Sequence, residues 1–216
     1  MATLEFLERP AAAAPSGLLV LHHGRGTDAS DLVGLADALD PERRLRVVAP
    51  RAPLQLPGSP GYHWYLVPRV GYPDPETFYA ARAALAELHD ELWAETGVGP
   101  ERTVLGGFSM GSVMSYALGL DSERPAPAGI LAFGGFVPTV EGWQPSLADR
   151  EATRAFIGHG RLDPIIDIEF ARRARALLEE GGLPVTYRES DVGHQIDPAS
   201  LADAIAWLGE TLVSAP

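Results

Sequence analysis

The chain has 216 residues, 46% hydrophobic and 21% charged, a balance ordinary for a folded soluble protein and long enough to bury one substantial core. Its formal net charge of -12 disfavours nucleic acid and anionic membrane surfaces, because phosphate binding needs clustered Lys and Arg. All 17 basic residues are arginines and cysteine is absent, which excludes a Walker lysine, a Schiff-base lysine, a thiol nucleophile, disulfides and thiolate metal sites.

Met1 to Arg9 carries acidic residues where a leader peptide would be basic. It opens with Thr3 to Glu8, whose alternating polar and apolar residues predict a half-exposed edge strand, and Leu18 to Leu21 is a continuous apolar run fit for a buried one. Ser30 to Leu39 places Leu32, Leu35, Ala36 and Leu39 at helical spacing, and Arg46 to Ala49 predicts a short strand closed by Pro50. Arg51 to Pro75 is rich in Pro, Gly and aromatic residues without a period and is read as a long, functional loop. Asp74 then caps a helix with Pro75 in its first turn and Phe78, Ala81, Leu85, Leu88 and Leu92 on one face, stopped by Gly97 and Gly99-Pro100.

Thr103 to Gly106 is an apolar strand that runs into Gly107-Phe108-Ser109-Met110-Gly111, and Ser112 to Leu118 is the helix that follows, ending at Gly119. Further strands are predicted at Gly129 to Phe133, Ala155 to Gly158 and Val185 to Arg188, with helices at Asp167 to Glu180 and Pro198 to Leu212. No repeat and no linker-like run divides the chain, so residues 1–216 are read as a single domain. Strands alternating with helices predict an α/β fold: a mostly parallel central sheet with helices on both faces, and sites at the carboxyl ends of strands. No apolar stretch approaches the roughly 20 residues of a membrane span, so a cytoplasmic protein without membrane insertion is expected.

Three polar residues satisfy that rule. Ser109 follows the strand from Thr103, Asp163 follows the strand from Ala155, and His194 follows the strand from Val185. A serine hydroxyl needs an imidazole to take its proton, and the imidazole needs a carboxylate to fix its tautomer and stabilise its cation. Asp167, Asp191 and Asp197 compete with Asp163 but also suit helix capping or solvation. Small residues two before and two after the serine let strand and helix pass closely, which Gly107 and Gly111 provide. Backbone N–H groups of Met110 and of Arg25, in the loop His22 to Asp28, are the expected oxyanion donors. For the Arg25 guanidinium, a surface pair with Asp28 or Asp31 is favoured over contact with a substrate anion. Among the other histidines no ligand spacing is found, so no metal site is expected; His23 and His159 are read as braces of the site and His89 as an exposed helix residue.

The loop His23-Gly24-Arg25-Gly26, the Gly-Phe-Ser-Met-Gly elbow, the Asp163 turn and the Gly193-His194 pair together resemble the phospholipase/carboxylesterase family of α/β-hydrolases, over nearly the whole chain. The resemblance implies an α/β-hydrolase fold without a large cap domain, no cofactor, and hydrolysis of esters or thioesters, lysophospholipids included, through an acyl-enzyme. Many members carry glutamine where this chain has Met110, so the hydrogen bonds of that side chain are expected to be lost. Tyr62-His63-Trp64-Tyr65 is similar to the family's Trp-Tyr loop, which places Trp64 and Tyr65 beside the acyl pocket, with a satellite core as the other reading. Phe136, Val137 and Pro138 are read as wall residues that favour an apolar acyl group. The partner implied is a small-molecule ester. Acyl transfer to an alcohol and ligand binding without turnover are the two other readings, and oligomeric state, a homodimer included, is left open.

Overall fold

The computed structural model describes residues 4–213. Its frame is a seven-stranded sheet in the order β1 (Phe6–Arg9), β3 (Leu45–Pro50), β2 (Gly17–His22), β6 (Thr103–Phe108), β7 (Gly129–Phe133), β8 (Arg154–Gly160), β9 (Val185–Ser190). Only β1 runs antiparallel, against β3; every other pairing is parallel. As expected, β1 lies at the sheet edge with three of its four side chains exposed, though it begins at Phe6 and Thr3 lies outside the described residues.

The central strands are apolar throughout because both faces are covered. Leu18 and Val20 of β2 point into one core with Leu105, Ile130 and Ile157, beneath α3 (Pro75–Thr96), α4 (Met110–Gly119) and α5 (Ile168–Glu180). Leu19 and Leu21 point the other way with Val104, Leu131 and Phe156, against α1 (Ala29–Val33), α2 (Ala36–Leu39) and α6 (Pro198–Val213). Each fully buried Leu or Phe contributes about 1.5–3 kcal/mol. No large cap covers the sheet among the described residues, and none of their helices is long and apolar enough to cross a membrane.

Caps delimit the helices. Asp74 accepts from the Thr77 N–H at 3.0 Å to start α3, and Gly97, left-handed at φ 67, ends it by donating to Trp93 O. Asp167 caps α5 through the Glu169 N–H at 2.8 Å. Two expectations need correction. The helix over 30–39 is two short helices parted at Gly34-Leu35, where glycine's conformational freedom removes the incentive to continue although the apolar stripe runs on. The loop after Pro50 contains a two-residue ribbon, β4 (Leu54–Gln55) against β5 (Tyr62–His63), too short for alternation to reveal.

Candidate active site

Strand order reverses between β3 and β6 around β2, and a crevice opens at the carboxyl end of such a switch point. The register pairs His22, last in β2, with Gly107 of β6, so the loops that follow these strands meet there. Ser109 occupies the sharp turn between β6 and α4 at φ 55, ψ -118, a strained conformation for a residue with a side chain. Its neighbours show what makes the turn possible. A Cβ at Gly107 would overlap the backbone of Gly111, and one at Gly111 would overlap the His22 carbonyl.

His194 Nε2 lies 2.9 Å from Ser109 Oγ, and His194 Nδ1 lies 2.6 Å from Asp163 Oδ2. The Asp163 side chain has no exposed surface, and its other oxygen accepts the N–H groups of Ile165 and Ile166 at 2.8 and 2.9 Å. Burial opposes its charge, but the hydrogen bonds from His194 and from the Ile166 and Ile165 backbone outweigh that and hold its pKa below the ordinary carboxylate value. An ionised Asp163 selects the His194 tautomer with hydrogen on Nδ1, leaving the Nε2 lone pair facing the hydroxyl. The competing aspartates are otherwise engaged: Asp167 caps α5, Asp191 pairs with Arg161, and Asp197 accepts from the Ser200 N–H.

Three features of this arrangement escape sequence reasoning. The Phe108 ring packs on His194 with centroids 4.9 Å apart. Gly160, at the end of β8, lies so near Val192 and Gly193 that a Cβ would overlap their carbonyls, which binds the Asp163 and His194 loops backbone to backbone. Ser112 Oγ lies 2.7 Å from Gly107 O and 2.8 Å from Phe133 O and accepts the Phe133 N–H, tying α4 to β6 and β7. A serine directly after the nucleophile motif carries no pattern that reveals this.

The loop after β2 is held by His23. Its Nδ1 lies 2.7 Å from Gly24 O, its Nε2 accepts the Ala52 N–H at 3.0 Å, and the Trp64 indole donates to its carbonyl at 2.9 Å. Burial holds the His23 pKa below its ordinary value, so the ring is neutral and its tautomer is set. Gly26 N–H donates to Tyr62 O, whereas the amides of Arg25 and Met110 donate to no acceptor among the described residues. His159 Nε2 donates to Ile166 O at 2.8 Å and lies 3.3 Å from Asp163 Oδ2, directly behind the carboxylate.

A cavity of about 420 Å³ opens over Ser109 and His194, with Arg25, Met110, Tyr65 and Phe136 in its lining. Val137 and Pro138 face instead a neighbouring cavity of about 540 Å³, which shares Phe136 with the first. Trp64 is fully buried and does not line the cavity; it packs edge-on against His22 and tilted against His23 and belongs to the core. Met110 departs from expectation as well, since its sulfur accepts the Trp64 backbone N–H at 3.2 Å. Arg25 is exposed and forms no ion pair with Asp28 or Asp31; Asp28 is occupied in capping α1. His89, expected at the surface, is buried and stacked on His22 at 5.6 Å, because it shares the inner stripe of α3 with Leu85, Leu88 and Leu92. No group of metal-ligating side chains occurs among the described residues.

The mostly parallel sheet, its two helical layers and the turn at Ser109 define an α/β-hydrolase. Residues 6–212 match the phospholipase/carboxylesterase family model, and the chain belongs to that family. It is 28% identical over 228 residues to acyl-protein thioesterase 1 of Gibberella zeae, covering 94% of each chain. Among solved structures it is similar to esterase PE8, with a TM-score of 0.83 and 30% identity over 97% of this chain and 100% of that one. The carboxylesterase of Bacillus cereus superposes with a TM-score of 0.85 at 25% identity, covering 97% of this chain and 95% of the other.

Proposed function

We propose that this chain is a serine carboxylic-ester hydrolase that works through an acyl-enzyme on small or medium acyl esters, with thioesters and lysophospholipids within its chemical reach. The observation that carries the reading is the hydrogen-bonded line from Ser109 Oγ through His194 to Asp163 beside a solvent-reached cavity. Membership of a family with named esterases and thioesterases supports it.

In this reading His194 Nε2 takes the hydroxyl proton as Ser109 Oγ bonds to the carbonyl carbon. Negative charge develops on the carbonyl oxygen, where the Arg25 and Met110 amides supply preorganised donors. Collapse breaks the bond to the alcohol or thiol, which leaves with the proton held by His194. Water then gives a proton to His194 and attacks the acyl carbon; collapse releases the acid and restores Ser109. Asp163 stabilises the imidazolium in both halves without itself taking the proton. No cofactor or metal enters these steps. One domain and a cytoplasmic setting belong to the same proposal.

Ser109→Ala is expected to abolish hydrolysis of a short p-nitrophenyl ester while the circular dichroism spectrum stays as in the parent. A variant that still turns over at the parental rate refutes the assignment.

A further inference from the structure

Most arginines in this acidic chain are neutralised locally: Arg9, Arg46, Arg51, Arg82, Arg124 and Arg172 all contact carboxylates. Arg25 and Arg69 form no ion pair with any described residue, and both line the cavity that contains Ser109 and His194. No aspartate or glutamate shares that lining. The Arg69 guanidinium lies over the Tyr72 ring, 3.6 Å from its centroid, a stacking that holds the group by its face and leaves its N–H edge to donate. Arg25 belongs to the loop after β2, so its side chain starts beside the place where the reacting carbonyl would sit. Arg25 also acts, after burial, to hold His63 below its ordinary pKa, so that neighbouring imidazole stays neutral and does not compete for an anion.

Around the two guanidiniums the walls are apolar. Val70, Tyr72 and Ile165 line the same cavity and are among the exposed large hydrophobic residues of the described chain. In a molecule with a net charge of -12, a pocket lined by two unpaired cations and no carboxylate, with the Asp163 charge behind His194 already matched by its hydrogen bonds, is a local reversal of sign. Such a pocket discriminates in favour of a negatively charged ligand, because surface carboxylates more than about 8 Å away are screened at physiological salt while contacts inside the partly open cavity are screened less.

We propose that the ester carries an anionic group, a carboxylate or phosphate joined to the scissile carbonyl by a short apolar spacer, which Arg25 and Arg69 receive. The inference rests on the hydrolase reading above and deepens it by naming the substrate class. Charge-assisted hydrogen bonds from guanidinium to carboxylate supply the selectivity, and the bond-breaking steps at Ser109 are unchanged.

The test compares kcat/KM for matched ester pairs at low ionic strength, with the buffer-only rate subtracted. On the acyl side, the 4-nitrophenyl monoester of glutaric acid is set against 4-nitrophenyl hexanoate. On the alcohol side, the acetate ester of 3-hydroxybenzoate is set against that of methyl 3-hydroxybenzoate. The anionic member of at least one pair is expected to be preferred by about tenfold, and the favoured arm tells which half of the substrate bears the charge. That ratio is expected to fall as NaCl rises, and to fall toward one in the double variant Arg25→Gln/Arg69→Gln, in which the Arg25 position keeps its backbone amide. Turnover of the neutral esters with no anionic preference in either arm overturns the inference and leaves the hydrolase reading standing, as does a preference that survives both salt and the double variant. No turnover of any of the four esters overturns the hydrolase reading and the inference with it.

Discussion

At the scale of single residues, the polar atoms of Asp163, His194 and Ser109 are held in complementary hydrogen-bonding roles. Asp163 spends one oxygen on the backbone of Ile165 and Ile166 and the other on His194, so the imidazole meets Ser109 with its lone pair. Replacing the carboxylate by an amide keeps the shape and loses that tautomer preference, because the amide nitrogen donates where an acceptor is needed. Asp163→Asn is therefore expected to lower kcat by on the order of 10³-fold or more with little change in KM, read by steady-state kinetics on a short ester. The three residues could be picked out in the chain because each follows a predicted strand, a relation that survives without coordinates. Phe108 was not legible as a support of His194, since its contact depends on how the β6 and β9 loops pack, whereas His159, read as a brace, does lie 3.3 Å from the Asp163 carboxylate. Trp64 shows the same limit: an aromatic residue in a Pro/Gly-rich loop reads as a pocket wall, yet its indole N–H finds His23 O and draws the ring into the core.

At the scale of elements, two glycines predict opposite outcomes for one substitution. Gly111 lies within α4, where alanine is intrinsically better by about 1 kcal/mol, but its Cβ would overlap the His22 carbonyl at the end of β2. Gly111→Ala is expected to destabilise by about 2 kcal/mol or more in urea unfolding, the clash outweighing propensity. Gly34 sits between α1 and α2 at φ -61, with only the Asp31 and Ser30 carbonyls at 3.6 Å from an added Cβ. Gly34→Ala is expected to stabilise by about 0.4–1 kcal/mol in the same assay, through the entropy of the unfolded chain. Helix ends with caps and strands buried on both faces could be read from the chain because those signals are local. The break at Gly34 and the ribbon of β4 and β5 could not, since each is decided by fewer than three residues. His89 was recoverable in principle: with Leu85, Leu88 and Leu92 it falls on the i, i+3, i+4, i+7 template of the buried face.

At the scale of the whole molecule, the core on one face of the sheet contains a neutral imidazole pair. His22 and His89 stack at 5.6 Å; burial, then mutual or neighbouring positive charge, pushes His22 well below its ordinary pKa and His89 down to about 3. Both bind protons more readily when unfolded, so folding stability rises with pH across this range and is lost as pH falls below about 6.5 toward the depressed folded values. At pH 5 the loss is about 2 kcal/mol for His89. His89→Leu is expected to reduce the fall in urea midpoint between pH 7 and pH 5, whereas an unchanged slope contradicts the burial argument. Asp163, with its depressed pKa, acts in a lower window: its contribution persists above the unfolded carboxylate value and disappears only as pH falls through the folded one. The same packing that buries these rings brings the ends of β6, β8 and β9 to one rim, and the catalytic proposal depends on that convergence. The most direct measurement is peptide mapping by mass spectrometry after reaction with a fluorophosphonate. The adduct is predicted on Ser109 alone, formed far more slowly in His194→Ala; an unmodified Ser109, or labelling that is as fast without the imidazole, contradicts it.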